Sequence, residues 1–594
     1  MATRLIVGVV SLLVLLAAVG LRISDLGDSQ CRVIPGDTTW PSEDDWNLLN
    51  QTVGGKLIAT VPIASPCHRS SEGNADSFDQ SKCDALRDEW FFPKTHLESP
   101  SSPMAYQATN NSCNPFTDSD VPCTLGYHVA YTINATVPSD FQAALKFVKQ
   151  HNVRLVIRNT GHDYLGKSTG AHALAVWTHH IKSLEHVPKY QHEHTDYQGP
   201  AIKMGAGVEL LEAYNFAHSH GLMVVGGNCP NVGAAGGYLQ GGGISILSSK
   251  FGLAADQVLS WEVVTASGDL VTASTSENKD LYWALRGGGG GTYGIVVSVT
   301  VKAFPDTTFS TAYMTVINDG TNTDGVYTAL GTFLQSLPGL VDAGAWVVWV
   351  AAPFGWLVMP AMAADLQAKD LDVHLQPTKD KLDQLGIQYQ YTSTDHPNFL
   401  AGYGSMTSTW NVSDHNLGGR LIPRDLVRDQ ESTDALVKAI RVISSQALIS
   451  GVGINVANAI SSPDEVSANP YFRKTLFSAV LGTPVNYTDF AANKIQQDRV
   501  TNDLLPELEA LTPNGGVYLN EADVQARNFK TTFYGGYYER LLAIKDKYDP
   551  EDTFYGGKTA VGSDRWEERI DGRLCKEHAY PMLAKLKTLI DSLF

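Results

Sequence analysis

Eight of the eighteen residues from 226 to 243 are glycine, and Gly287 to Gly291 is an unbroken glycine run. Glycine weakens helix and strand interiors, because it loses the most backbone freedom on folding. It is favoured where a chain takes left-handed angles or passes close to a partner. Whatever this chain folds into must therefore spend two loops on close backbone approach. N–H groups freed in such loops point naturally at an anion, a pyrophosphate among them.

Around these loops the pattern is mixed. Apolar residues at helical spacing (Phe141, Ala144, Leu145, Val148) predict a helix over Asp140 to Gln150, capped by Ser139 or Asp140 after Pro138. A short strand is expected at Val153 to Arg158, then a turn at Asn159 to Asp163. Further on, strand, helix and strand are expected at Ala201 to Gly205, Val208 to His218 and Leu222 to Val225. A hairpin over 258–273 turns at Ser267-Gly268-Asp269; a helix over Lys279 to Arg286 and a strand over Ile295 to Val301 follow. Trp346 to Ala352 and Trp356 to Met362 read as strands, Asp434 to Leu448 and Tyr537 to Tyr548 as helices, and Gly516 to Leu519 as strand-like. At about 150 residues per domain, 594 residues allow about four compact units or fewer large ones. The texture divides into 1–20, a Cys-rich 21–123 poor in long elements, an α+β block over 124–306, an antiparallel sheet with helices over 307–510, and a closing segment over 511–594.

The N-terminus bears on compartment. Arg4 precedes a 16-residue apolar stretch, Leu5 to Gly20, followed by Arg22. That is short for a membrane span, and Ala18 with Gly20 makes a small-residue pair, so it reads as a signal peptide cut near Gly20. The rival reading is an uncleaved signal anchor. No other long apolar run is evident, so no further span is expected. Seven cysteines fit an oxidising route: six can pair, in any of fifteen ways, and one is left over. Cys229, inside the glycine-rich loop and far from the rest, is nominated as the unpaired one. The sequons at Asn50, Asn110, Asn134, Asn411 and Asn486 become glycan sites if the chain is exported. The net charge of −18, with no basic run, argues against a nucleic-acid partner.

Three familiar patterns occur and fail on context. Gly161 to Ser168 obeys G-x-x-x-x-G-K-[ST], but no downstream strand offers a metal-binding Asp, and Asp163 sets negative charge where phosphates would sit. Gly289 to Gly294 obeys G-x-G-x-x-G, but a helix precedes it and a strand follows, the reverse of a dinucleotide fingerprint. Gly166 to Gly170 obeys G-x-S-x-G, but lies eight residues past its strand. His179, His180, His186, His192 and His194 show no zinc spacing and read as solvated; no metal site is expected.

What remains is His162 on a tight glycine turn after a strand and Cys229 on a glycine-rich loop. A neutral imidazole and a thiolate are both nucleophiles. Two nucleophiles on two such loops suit a large anionic cofactor held covalently. The plainer alternative is a histidine closing a turn and an inert buried cysteine.

At these residues the chain resembles the FAD-linked oxidases of the vanillyl-alcohol-oxidase type, in their berberine-bridge-enzyme-like branch. Arg158-Asn159-Thr160-Gly161-His162-Asp163 is similar to that family's first flavin loop, whose His bonds the flavin 8α-methyl carbon. Asn228 to Gly233, then Gly236-Gly237 and Gly241-Gly242-Gly243, resembles the second loop, whose Cys bonds flavin carbon 6. Leu285 to Gly288 with Tyr293-Gly294-Ile295-Val296 resembles a third segment; Tyr518-Leu519-Asn520 and Tyr548-Asp549-Pro550 resemble the returning strand and helix. Val561 to Trp566 is similar to the ending of secreted fungal members. Two departures stand out: Thr-Gly-His-Asp where Gly-Gly-His-Ser is common, and Tyr238 where many members have His.

The resemblance implies an α+β fold: a two-part FAD-binding domain of the PCMH type with an inserted substrate domain. It implies FAD held by His162 and Cys229, with Arg158, Asn159, Thr160, Gly161, Asp163, Gly233, Gly237, Gly242, Gly243, Ile295 and Asn520 around it. It implies oxidation of an alcohol, a sugar-like hydroxyl or a secondary metabolite, with molecular oxygen reoxidising the flavin. Tyr518 falls where the family often sets a substrate-facing tyrosine. As the base, that phenol would need a lowered pKa or a coupled second group. A flavin-fold binder without turnover and a dehydrogenase that shuns oxygen are the alternatives.

Overall fold

Among the described residues, three large sheets meet around the glycine loops. The computed structural model describes residues 31–70, 77–191, 197–406, 411–457, 459–460 and 462–577. The signal-peptide reading, His192 and His194 fall outside the described residues.

The first sheet contains β1 (Leu57–Ala59), β2 (Tyr131–Asn134), β3 (Leu155–Arg158) and β4 (Leu174–Trp177) in the order β1-β2-β4-β3. β4 lies parallel to β2 and β3, and β1 is antiparallel at the edge. Parallel neighbours need a crossover, and the helix Pro138–His151 supplies it between β2 and β3. Its stripe of Phe141, Ala144, Leu145 and Val148 is buried against Ile133, Leu155 and Val176. The N-cap is Val137 rather than Ser139 or Asp140. The Asp140 carboxylate reaches back to accept from the N–H groups of Thr136 (2.9 Å) and Val137 (3.2 Å).

The second sheet is antiparallel: β5 (Leu184–Val187), β6 (Ala201–Gly205), β7 (Leu222–Val224), β8 (Val258–Val264), β9 (Leu270–Ser274) and β10 (Ile295–Pro305). The long β10 is its axis, pairing with β6, β7 and β8. The third sheet has seven antiparallel strands: β11 (Phe309–Ile317), β12 (Ala345–Ala352), β13 (Gly355–Ala364), β14 (Tyr389–His396), β15 (His415–Pro423), β16 (Leu448–Gly453) and β17 (Thr475–Pro484). Their order is β14-β11-β13-β12-β16-β17-β15. Strand side chains alternate between faces. On β12, Val347, Trp349 and Ala351 pack under the helices Thr323–Asp342, Ala368–Gln384 and Gln430–Ser444. Trp346, Val348 and Val350 point the other way.

Two expected elements differ. The helix expected over Asp434 to Leu448 runs Gln430–Ser444, because the Asp429 side chain accepts from the Ser432 N–H and caps it four residues earlier; Leu448 opens β16. Gly516 to Leu519 is extended but joins no sheet. The Gly516 carbonyl accepts from Leu421, the Val517 N–H donates to Thr532, and a short turn, Leu519–Glu521, follows. The Cys-rich stretch carries more helix than expected, at Glu43–Thr52 and Gln80–Glu89, and supplies β1. Cys31 bonds Cys575, Cys67 bonds Cys83 and Cys113 bonds Cys123, leaving Cys229 free, as its surroundings suggested. His179 is buried at 8% exposure, not solvated, because it lies just past β4 against Trp177.

Candidate functional site

β3 ends at Arg158, and the next residues turn sharply. The left-handed Gly161 (φ +82°) sits against the Arg158 guanidinium, where an added Cβ would come within 2.8 Å. The Asn159 backbone carbonyl accepts from the Trp177 indole (2.9 Å), which fixes the turn on β4. The cysteine loop is pinned separately. Leu210 and Leu211, opening the helix Leu210–Ser219, donate their N–H groups to the carbonyls of Val232 and Pro230 (both 3.0 Å). The two loops then touch. A Cβ on Gly233 would lie 2.5 Å from Asn159 Oδ1, so any side chain there would displace Asn159.

That approach brings Cys229 Sγ to 3.8 Å from His162 Nε2. Burial lowers the imidazole to about 4, with a hydrogen bond to Asn231 opposing, so His162 is neutral at neutral pH. Burial pushes the Cys229 thiol up to about 11, against a backbone hydrogen bond at Asn231. The neutral imidazole matches expectation. The thiolate does not, because burial disfavours the charged form.

Both side chains face a cavity of about 420 Å³. Its far wall is the open face of the third sheet: Trp346, Val348 and Val350 of β12, Val452 of β16 and Leu417 of β15. Its floor is the end of the extended segment, with Tyr518, and the turn after it, with Asn520 and Glu521. A narrower space of about 80 Å³ adjoins it through Asn159, Asp163, Gly236, Gly237 and Asn520. The glycine run closes that space from the other side. The Gly289 N–H donates to the Gln240 carbonyl (2.8 Å), and a Cβ on Gly290 would lie 3.0 Å from Gly237 Cα.

Of the residues singled out from sequence, Asn159, Thr160, Gly161, His162, Asp163, Cys229, Gly233, Gly237, Tyr518 and Asn520 line these spaces. Four do not. Arg158 is fully buried and spends its guanidinium on the carbonyls of His96, Ser99 and Ser102 (2.8–2.9 Å), anchoring the Cys-rich stretch. Ile295 packs in the core beneath the first sheet. Gly242 and Gly243 offer their carbonyls to Ala255 and Ala254, tying the loop to the second sheet.

The floor also departs from expectation. Tyr518 is 4% exposed, and burial raises its pKa, with the Glu521 charge adding to the rise. That is the opposite of what a phenolic base needs. The Tyr518 hydroxyl accepts from Asn520 Nδ2 (2.8 Å), leaving its own proton to donate. Glu521, three residues on, was not marked by the sequence. Its Oε2 is buried with no hydrogen-bond partner, and burial lifts the carboxyl to about 7, opposed by a bond from Ser478 of β17. Tyr164, also on the wall, is held protonated chiefly by burial. The i, i+3 spacing across a tight turn was the one signal that places Glu521 beside Tyr518.

The arrangement fits a flavin dinucleotide. Facing glycines leave a slot a Cβ would fill, and Gln240 Oε1 and Asn159 Oδ1 are buried acceptors with no donor. Among the described residues no group of three His, Cys, Asp or Glu is placed to hold a metal, and no helix is long and apolar enough to cross a membrane.

Known proteins agree with this geometry. Residues 129–274 match the FAD binding domain family, and 517–556 match the berberine and berberine-like family. The FAD-linked oxidoreductase patO of Aspergillus clavatus is 41% identical over 552 residues, 92% of this chain and 94% of that protein. ZEB1 of Gibberella zeae, another FAD-linked oxidoreductase, is 41% identical over 574 residues, 95% of this chain and 98% of that protein. The crystal structure of the VAO-type flavoprotein MtVAO615 from Myceliophthora thermophila C1 superposes with a TM-score of 0.86 at 38% identity, over 92% of this chain and all of that one. Likeness at this level, over nearly the whole length and including the segments that build the cavity, places the chain in the FAD-linked oxidoreductases of the vanillyl-alcohol-oxidase type, berberine-bridge-like branch.

Proposed function

We propose that this enzyme oxidises the hydroxyl of a largely apolar small molecule, using FAD bonded to both His162 and Cys229. The observation that carries the reading is the 3.8 Å approach of His162 Nε2 to Cys229 Sγ at the mouth of the glycine slot. Two nucleophiles that close, on different loops, suit the 8α-methyl and carbon 6 on one edge of a single planar ring system. The substrate class follows from the wall. Val348, Val350, Leu417 and Val452 offer no hydrogen bonds, Trp346 offers only its indole N–H, and Ser450 and His415 are the polar groups on the same sheet. A sugar buried there would leave hydroxyls unpaired, at a cost of about 1–3 kcal/mol each.

The bound flavin would accept a hydride from the substrate carbinol carbon, and molecular oxygen, reduced to hydrogen peroxide, would take the electrons onward. The protein's part is to orient the alcohol and move its proton. Tyr518, held protonated, donates to the substrate oxygen, and Asn520 fixes the phenol. Glu521 takes the hydroxyl proton; a carboxyl near 7 is poised for that task. Domain limits at 124–306, 307–510 and 511–594 belong to the same reading, as does export through a leader over 1–20, which the three disulfides support.

The test begins with protein from a secretory host, precipitated with acid. A yellow pellet, and one flavin joining the peptides of His162 and Cys229 on digestion and weighing, is the expected result. The His162→Ala and Cys229→Ala proteins should each keep one bond, and the double variant should release FAD on denaturation. Flavin still bonded in the double variant would refute both attachments. An anaerobic panel of apolar primary and secondary alcohols then tests turnover through bleaching of the flavin. Bleaching by sugars alone would reverse the substrate reading.

A further inference from the structure

The narrow space contains one feature the tethers leave unexplained. Lys167 lines it, opposite Gly236, Gly237, Gly290 and Gly291. Its Nζ lies 3.7 Å from where a Cβ on Gly289 would sit, so the ammonium faces the five-glycine run. Its stem packs beside Gly557, whose added Cβ would lie 3.6 Å from Lys167 Cγ. Among the described residues, no hydrogen-bond acceptor or ion-pair partner reaches the ammonium. The nearest acidic group is Asp163, and its carboxylate is engaged by the backbone N–H groups of Leu165 (3.2 Å) and Lys167. Burial penalises the charge and Asp163 offsets it only in part, so the net effect lowers the ammonium's affinity for its proton.

Lys167 is half-buried, and an ammonium with no partner in a narrow space is best kept where a counter-charge arrives. The slot has the makings of an anion site: glycine backbone that keeps side chains out of the way, left-handed turns at Gly289 (φ +98°) and Gly291 (φ +69°), and one cation. It opens into the cavity holding His162, five residues earlier on the same loop. We infer that Lys167 pairs with the diphosphate of the dinucleotide, so that the loop 161–168 grips the cofactor at two places, the ring at His162 and the phosphates at Lys167. The stretch that fails as a nucleotide-triphosphate loop on context would thus still put its lysine on phosphate oxygens.

The inference rests on FAD lying in these joined spaces, but not on the covalent bonds. Phosphorus NMR of the holoenzyme tests it directly. Lys167→Met should shift the flavin diphosphate resonances from their wild-type positions, and Lys167→Arg should largely restore them. In the His162→Ala/Cys229→Ala background, adding Lys167→Met should weaken FAD binding about tenfold or more and flatten its dependence on salt. Riboflavin, which has no phosphate, should bind equally with and without the lysine. Unchanged phosphorus resonances in a folded Lys167→Met holoenzyme would overturn the pairing, as would equal loss of riboflavin and FAD. Flavin still covalent in the double variant would overturn the tether reading alone and leave the phosphorus comparison to decide this one.

Discussion

Glu521 and Tyr518 sit three residues apart, and desolvation acts on the Tyr518 hydroxyl and the Glu521 carboxyl with one sign: each holds its proton more tightly than in water. The consequences differ because their starting points differ. A phenol raised from its ordinary value is a donor at every physiological pH; a carboxyl raised to about 7 changes charge within that range. As a base Glu521 must be ionised. Flavin reduction by an alcohol substrate should therefore rise with pH and level off above about 7. Glu521→Gln should slow reduction by about 10²–10⁴-fold and erase that limb. Tyr518→Phe should slow reduction while leaving FAD bound and the limb in place. Stopped-flow absorbance under anaerobic conditions reads all three. A Glu521→Gln protein with the wild-type pH profile would return the proton to another group. His162 and Cys229 were legible from sequence because glycine surroundings announce a backbone under constraint. Glu521 was not, because an acidic residue in a turn has no such marker, and its role depends on Ser478 and the third sheet folding over it.

At the scale of elements, the seven-stranded sheet separates two tasks by the pleat alone. Trp349 of β12 is fully buried under the helices, edge-on to Phe477 (5.3 Å between ring centres). Its neighbour Val348 faces the cavity. Trp349→Ala should cost about 3–5 kcal/mol of stability, measured by denaturant unfolding, with little change in the KM of the surviving native enzyme. Val348→Ser should do the reverse, altering KM and sparing stability. Strands such as β12 and β13 were readable as apolar runs, and the helix Pro138–His151 as a stripe at helical spacing. The faces were not readable on β12, since Ala345 to Ala352 is apolar throughout, and period-2 alternation gives no contrast when both sides are buried. Gly516 to Leu519 misled for a related reason: an extended run reads as a strand whether or not a sheet edge awaits it.

For the molecule as a whole, the cavity exists only because distant stretches converge. The loops of His162 and Cys229 come from the first 243 residues, the wall from β12 to β17, and the floor from 518–521. Arg158, on the strand that precedes His162, is held by carbonyls of the Cys-rich stretch, so that stretch braces the flavin loop from behind. Arg158→Ala should leave the buried carbonyls of Ser99 and Ser102 without a donor, at about 1–3 kcal/mol each, and lower the melting temperature and the fraction of protein carrying flavin together. Loss of flavin without loss of stability would point instead to direct contact with the cofactor. The Cys31–Cys575 bridge joins residues 544 positions apart. Nearly every peptide bond of the described chain lies inside that ring. A protease that cuts once in an exposed loop therefore divides the polypeptide without dividing the molecule. The nicked product would run as one species on a gel until a reductant is added, and an enzyme working among proteases would outlast its first cut.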